Sequence, residues 1–140
     1  RSPWRLLLDK QLYPKSGDAR TVDRLLKPQL KTLAKLWRQN RQLPGPISPS
    51  GQLRSSRSSL SLYGAFLPVA AYYGEEALVQ DILKSQVAGK LAPNGLWQPE
   101  DDYYGQNWLW FGAYLYGYDQ QLSEAKTPSP GWSSWFKVPL

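Results

Sequence analysis

The hydrophobic and polar positions of this chain repeat at helical spacing in several segments separated by loops. The clearest pattern covers residues 20–39, where basic side chains occupy one side and leucines with Trp37 occupy the other. Residues recurring every three or four positions are typical of an amphipathic helix that buries one face. Pro28 interrupts this segment, so we expect a kink or two abutting helices there. The basic positions are Arg20, Arg24, Lys27, Lys31, Lys35 and Arg38.

Four further helices are predicted at about residues 4–13, 58–73, 75–88 and 102–118. Loops rich in proline and glycine separate them, notably around residues 42–54 and 89–101. The last of these helices is apolar or aromatic all round, which predicts burial on every side. No segment has a convincing strand pattern, so the predicted fold class is all-α.

The predicted helices alternate in type along the chain. Amphipathic outer-type helices (20–39 and 75–88) lie between apolar inner-type helices (4–13, 58–73 and 102–118). This alternation indicates about five helices of an (α/α)6 barrel, with a small helical bundle as the alternative. Residues 1–118 would form that C-terminal part of the barrel domain, and 119–140 a tail that packs by its aromatic residues. The chain has no Met and begins at Arg1, so we expect a processed chain, a fragment or one piece of a larger protein.

Composition narrows the chemistry that the chain can perform. It has no Cys and no His, which excludes thiol nucleophiles, a histidine general base and the usual zinc sites. No metal or other cofactor is expected. Its 7 Trp and 9 Tyr, against 3 Phe, are typical of cores, of interfaces and of surfaces that stack on sugars or bases.

Charge is divided unevenly along the chain. Residues 1–57 carry 13 basic and 3 acidic side chains, whereas residues 58–140 carry 4 and 8. Such a division is compatible with a polyanion-binding or nucleic-acid-binding surface, or with one solvated helix face. The apolar stretches are too short for a membrane span.

The opening residues Arg1-Ser2-Pro3-Trp4-Arg5-Leu6 resemble a segment of glycoside hydrolase family 8 with the pattern Asp-Ala-x-Arg-x-Pro-Trp-Arg. This family comprises bacterial endoglucanases, including the cellulase associated with cellulose synthesis, and related xylanases and chitosanases. Gly51, followed by the small-residue segment 58–71, resembles the family's loop glycine before an inner helix. Residues 102–106, Asp-Tyr-Tyr-Gly-Gln, are similar to the start of its last inner helix.

The resemblance implies an (α/α)6 barrel that hydrolyses β-1,4-glycosidic bonds of glucan with inversion, although xylan and chitosan remain open as substrates. Its general acid, a Glu, and its base, an Asp, would both lie upstream of residue 1. Arg1 would support that base. It further implies a secreted or periplasmic bacterial protein, with the N-terminal half of the same protein as partner.

The implied substrate-binding residues each have a structural alternative. Tyr103 and Tyr104 would line a glucose subsite, and Trp97 would be a loop platform at its rim. Trp4 and Arg5 match the opening motif. Core or helix packing is the alternative for the aromatic residues, and a frayed terminus is the alternative for Arg1.

Two other hypotheses follow from the residues alone. The first is a noncatalytic carbohydrate-binding helical domain that uses the same aromatic residues. The second is a basic polyanion-binding protein that uses the 20–41 segment. Without reference to any family, the adjacent carboxylates 100–102 are the best in-chain candidates for acid–base catalysis, and helix capping is the alternative interpretation.

Overall fold

The structure, a computed structural model, describes residues 2–43, 45, 48, 52 and 58–124, with side chains up to residue 116. Five α-helices make up most of this part of the chain. Arg1, Gly51 and the predicted tail from residue 125 onward lie outside it. The all-α prediction is confirmed, because the described residues form helices and no β-strand. The extended backbone pairing that they show is an isolated bridge between Leu91 and Trp97. The helices are α1 (Ser2–Leu12), α2 (Ala19–Asn40), α3 (Leu60–Tyr72), α4 (Glu76–Ile82) and α5 (Tyr103–Glu124).

Helix α2 is continuous across Pro28, so two abutting helices do not form. Pro28 lies on the exposed side, where the loss of one backbone hydrogen bond leaves no buried group unpaired. The helix ends at Arg41, which has a left-handed φ of 55° and donates its backbone N–H to the Trp37 carbonyl. The predicted apolar side is buried with the exception of Leu25, which is 47% exposed.

Helix α3 is the central helix of the structure. Ser59 caps its N-terminus by accepting a hydrogen bond from the Leu62 backbone N–H. Residues 63–70 are all buried, and the chain leaves the helix through Gly74 at a φ of +78°. The apolar segment 58–73 is therefore covered within this chain by its own neighbouring helices.

Helix α4 is shorter than the predicted 75–88 segment. After Ile82 the chain widens into a π-helical turn (Leu83–Val87) and then tightens into a 3-10 turn (Ala88–Lys90). Asp81 connects α4 to the end of α2, because it accepts the Trp37 indole N–H at 2.8 Å and forms an ion pair with Arg41. These contacts lower the pKa of the Asp81 carboxyl, and the hydrogen bond from Trp37 contributes most.

Helices α3 and α5 approach so closely that only glycine fits between them. A Cβ at Gly64 would lie 1.9 Å from the Trp108 carbonyl oxygen, and one at Gly112 would lie 2.1 Å from the Gly64 carbonyl oxygen. The two backbones therefore pack directly against each other, without intervening side chains. Leu109, between these positions on α5, is fully buried.

Helix α5 departs from the prediction in two respects. It extends to Glu124, beyond the predicted end at 118. It is also not buried on every side, because one side carries exposed aromatic rings, among them Tyr103, Trp110 and Tyr114. The physical reason is that α3 packs against only the opposite side of this helix.

A charged cluster joins α1, α2 and the end of α3. Asp23 accepts hydrogen bonds from the Lys10 ammonium and the Tyr73 hydroxyl. The same ammonium lies 5.3 Å from the Tyr72 ring centroid and 5.8 Å from that of Tyr73, in cation–π geometry. The Lys10 bond, followed by the Tyr73 bond, lowers the pKa of Asp23, while burial and this carboxylate raise the pKa of Tyr73.

Substitution of Gly64 by Ala should destabilise the fold by about 1–3 kcal/mol or more, because the new methyl group would overlap backbone atoms of α5. Urea unfolding followed by circular dichroism measures the change. Gly17→Ala is the matched control, since a Cβ there meets nothing within 4 Å. Equal stability of the two variants would contradict the direct backbone packing.

Substitution of Asp23 by Asn should cost about 1–3 kcal/mol at neutral pH, because the largely buried Lys10 ammonium loses its carboxylate. Folding lowers the pKa of Asp23, so the ionised carboxylate stabilises the fold fully at pH values above its unfolded-state pKa of about 3.9. This stabilisation is lost as pH falls through the folded-state pKa. Urea unfolding across acidic pH should show the gap between wild type and variant closing.

The control for this experiment is Asp9→Asn, an exposed carboxylate on the same helix as Lys10. Its removal should change the free energy of unfolding little at any pH. A gap for Asp23→Asn that stays constant down to the lowest pH would refute the role of the ionised carboxylate.

Candidate functional site

Exposed aromatic side chains are concentrated on one side of α5. Tyr103, Trp110 and Tyr114 are 80%, 51% and 65% exposed, and their spacing of seven and four residues places them along one line of the helix. A second line beside it holds Tyr104, Trp108 and Phe111. We call these six residues together the aromatic face.

Helix α1 extends the aromatic face through Trp4. Its ring lies edge-on to Trp108 with centroids 6.0 Å apart and tilted against Phe111 at 6.1 Å. The Trp4 indole N–H donates to the Phe111 carbonyl oxygen at 3.1 Å, which fixes the ring in place. Tyr104 contacts Trp108 in turn, with centroids 6.4 Å apart. The structure thus brings Trp4 and Tyr104 into one chain of rings.

The aromatic face carries no charge. Between Tyr103 and Tyr118 the sequence contains no Asp, Glu, Lys or Arg. Within this part of the face, Trp110 and Tyr114 lie nearly parallel, with an interplanar angle of 20° and centroids 5.6 Å apart. Flat rings with exposed faces, phenol hydroxyls at the edges and no fixed charge suit a neutral ligand with apolar faces and hydroxyl groups.

The loop before α5 is attached to the start of that helix by Gln106. Its side-chain oxygen accepts the Trp97 backbone N–H at 2.9 Å, and its side-chain nitrogen donates to the carbonyl oxygens of Trp97 and Pro99. These bonds hold the loop against the first turn of α5. Tyr103 and Tyr104 project from this same first turn.

Trp97 does not occupy the position expected of a loop platform. Its side chain is 8% exposed and belongs to the larger of the two buried hydrophobic clusters. Gln106 holds the Trp97 backbone, and the ring itself is buried, so neither face of the indole is available to a ligand in this structure. Arg5 is exposed on α1 next to Trp4. Arg1 falls outside the described residues.

The acidic cluster at residues 100–102 has a structural role at Asp102. Its carboxylate accepts the Gly105 backbone N–H at 2.7 Å, and its carbonyl oxygen accepts the Gln106 N–H. This is the capping arrangement at the N-terminus of α5. Glu100 accepts a hydrogen bond from Asn94, and together with Asp101 it lines an open depression of about 620 Å³.

The described residues contain no group of three or more acidic side chains that could hold a metal ion. None of the helices within residues 2–43 and 58–124 is long and apolar enough to cross a membrane.

Sequence reasoning missed Trp110, Phe111 and Tyr114 as surface residues, because a helix apolar all round predicts complete burial. The signal that could have found them is the row of small and aliphatic residues on the opposite side. Gly105, Leu109 and Gly112 recur at spacings of four and three residues and are buried. Such a row predicts close helix packing on one side, which leaves the bulky rings for the other side.

Comparison with protein families, with curated proteins and with solved structures gives no match for this chain. The proposed function therefore depends on the sequence resemblance and on the geometry of the aromatic face.

Substitution of Asp102 by Ala should destabilise the protein by about 1 kcal/mol, because the first turn of α5 loses its cap. Asp102→Asn should retain nearly full stability, since an Asn side chain accepts the same hydrogen bond. Urea unfolding of both variants checks this expectation. Equal loss of stability in both would show that the negative charge at Asp102 matters beyond capping.

Proposed function

We propose that this chain is the C-terminal part of an inverting endo-β-1,4-glucanase of the (α/α)6 barrel type, resembling glycoside hydrolase family 8. The observation that carries the proposal is the first part of the aromatic face, where Tyr103 and Tyr104 at the start of α5 are exposed near Trp4 at the start of α1. The sequence resemblance places the substrate cleft at these same helix ends. The chain would then contribute substrate binding to the enzyme.

A β-1,4-linked glucan has the chemistry that this face suits. Its sugar rings present apolar C–H faces that stack on aromatic rings, and its hydroxyls exchange hydrogen bonds with phenols. Tyr103 and Tyr104 would contact the sugar, and Trp4 with Trp108 would support Tyr104 from behind. The absence of charged residues between Tyr103 and Tyr118 favours a neutral polymer over a charged one.

The exposed rings farther along α5 would have a different role. Trp110, Phe111 and Tyr114 lie two to three turns beyond Tyr104, at a distance of about 9–15 Å along the helix. An inner helix of a barrel is surrounded by neighbours, and five helices leave this side of α5 uncovered. We assign Trp110, Phe111 and Tyr114 to contact with the N-terminal half of the same protein.

Hydrolysis with inversion needs an acid and a base on opposite sides of the scissile bond. The sequence of the aromatic face holds no carboxylate, and the described role of Asp102 is to cap α5. In the proposal the Glu acid and the Asp base therefore precede residue 1. Arg1, one helical turn after the base, would keep that carboxylate ionised.

A noncatalytic carbohydrate-binding helical domain is the second candidate, and the same aromatic face favours it. The two candidates differ in whether bond cleavage accompanies binding. A protein that joins this chain to the residues encoded ahead of Arg1 should release reducing ends from soluble β-1,4-glucan, with inverted anomers visible by NMR. Binding without cleavage would favour the binding domain.

Cello-oligosaccharides should change the tryptophan fluorescence of this chain, because Trp108 contacts the ring of Tyr104. The double variant Tyr103→Ala/Tyr104→Ala should weaken binding by about tenfold or more, which corresponds to about 1.4 kcal/mol. Fluorescence titration with oligosaccharides of increasing length measures the affinity.

Two matched controls accompany the fluorescence titration. Tyr13→Ala removes an equally exposed tyrosine that lies after α1, and it should leave the affinity unchanged. Trp110→Ala/Tyr114→Ala should also leave it unchanged if those rings face the rest of the barrel. Unaltered affinity in the Tyr103/Tyr104 variant would exclude these residues as the sugar subsite.

A further inference from the structure

Helix α2 presents a second surface, chemically opposite to the aromatic face. The six basic residues predicted to share one side of the helix are all exposed, and we call them the basic stripe. From Arg20 to Arg38 the stripe extends about 27 Å, with one cation for each helical turn of about 5.4 Å. Its members are Arg20, Arg24, Lys27, Lys31, Lys35 and Arg38.

Most of the stripe has no acidic partner among the described residues. Arg38 lies 3.8 Å from Glu75, and the Lys27 ammonium lies over the Tyr73 ring at 5.7 Å. The acidic residue within α2, Asp23, is engaged by Lys10 and Tyr73. Arg20, Arg24, Lys31 and Lys35 are exposed and have no carboxylate partner within the described residues, although Arg24 donates a hydrogen bond to the Thr21 hydroxyl.

We infer that the basic stripe binds an acidic polysaccharide, a linear polymer with about one carboxylate or sulfate for each sugar residue. The cations are arranged in single file, which suits a linear polymer better than a flat membrane surface. Their separation of about one helical pitch is close to the length of one pyranose residue in an extended chain. Each cation can then face one anionic group.

Duplex nucleic acid fits this arrangement less well. Its phosphates lie on two backbones that wind around the helix axis, so a straight file of six cations about 27 Å long meets only a short stretch of either backbone. Three uncharged polar side chains of α2 are bonded to their own helix, since Gln29, Thr32 and Asn40 donate to backbone carbonyls. The sequence of α2 contains one aromatic residue, Trp37, and it is buried.

Membrane insertion is also disfavoured by the structure. An amphipathic helix inserts its apolar side into the bilayer interface, but the apolar side of α2 is buried against the other helices. Leu25 is the one large apolar residue of α2 that is strongly exposed. The basic stripe can therefore bind a ligand through charge alone. This binding does not depend on the aromatic face or on the proposed hydrolase activity.

The test uses oligogalacturonate, a neutral cello-oligosaccharide of similar length, a DNA duplex and vesicles containing anionic lipid. The whole chain is titrated with each by isothermal calorimetry or light scattering at several salt concentrations. Oligogalacturonate should bind, and its affinity should fall steeply with salt as counterions are displaced. The neutral oligosaccharide should show no such salt dependence.

The variant Lys31→Gln/Lys35→Gln should weaken oligogalacturonate binding by about tenfold and should lower the salt slope by roughly two. Lys15→Gln/Lys84→Gln removes the same charge from exposed positions outside the stripe and should change affinity by less than about twofold. Cello-oligosaccharide binding should be equal in both variants, which separates this inference from the proposed hydrolase function.

Three results would overturn the inference. Equal weakening by the two double variants would mean that only net charge matters. Tighter binding of the DNA duplex, or binding of anionic vesicles without oligogalacturonate, would assign the stripe to another class of partner. Absence of any binding at low salt would leave the stripe as a solvated helix face.

Discussion

The direct backbone contact of α3 with α5, at Gly64 and Gly112, is the constraint on which the rest of the structure depends. Because no side chain separates the two helices there, α5 lies as close to α3 as two helices can. Helix α3 in turn is buried over residues 63–70 and packs against α1, α2 and α4. The bulky rings of α5 can occupy only the side away from that contact, so the aromatic face follows from the glycines.

Two surfaces of opposite chemistry result from this packing. The aromatic face has rings and hydroxyls without charge, whereas the basic stripe has charge without exposed rings. The two surfaces suit different ligands, and salt distinguishes them. Stacking on sugar faces is insensitive to salt, whereas ion pairing with a polyanion is strongly salt-dependent. In our proposals the aromatic face would bind a neutral glucan, and the basic stripe would bind an acidic polysaccharide.

Polar contacts hold both surfaces in place rather than performing chemistry themselves. Asp23 connects the basic helix to α1 and α3, and Asp81 secures its C-terminal end to α4. Asp102 caps α5, and Gln106 attaches the preceding loop to it. The lowered pKa values of Asp23 and Asp81 reflect these bonds, so acid should loosen the helix junctions before it affects the apolar core.

The sequence by itself determined the elements that depend on local periodicity and local chemistry. Helical spacing predicted five helices and the buried side of α2, and carboxylates before Tyr103 predicted a cap. Only the tertiary structure decided what depends on neighbours. It directed Trp97 into the core through Gln106, and it left one side of α5 uncovered. Periodicity cannot predict the uncovered side of α5, because the sequence of a helix that is apolar all round does not indicate which side its neighbours occupy.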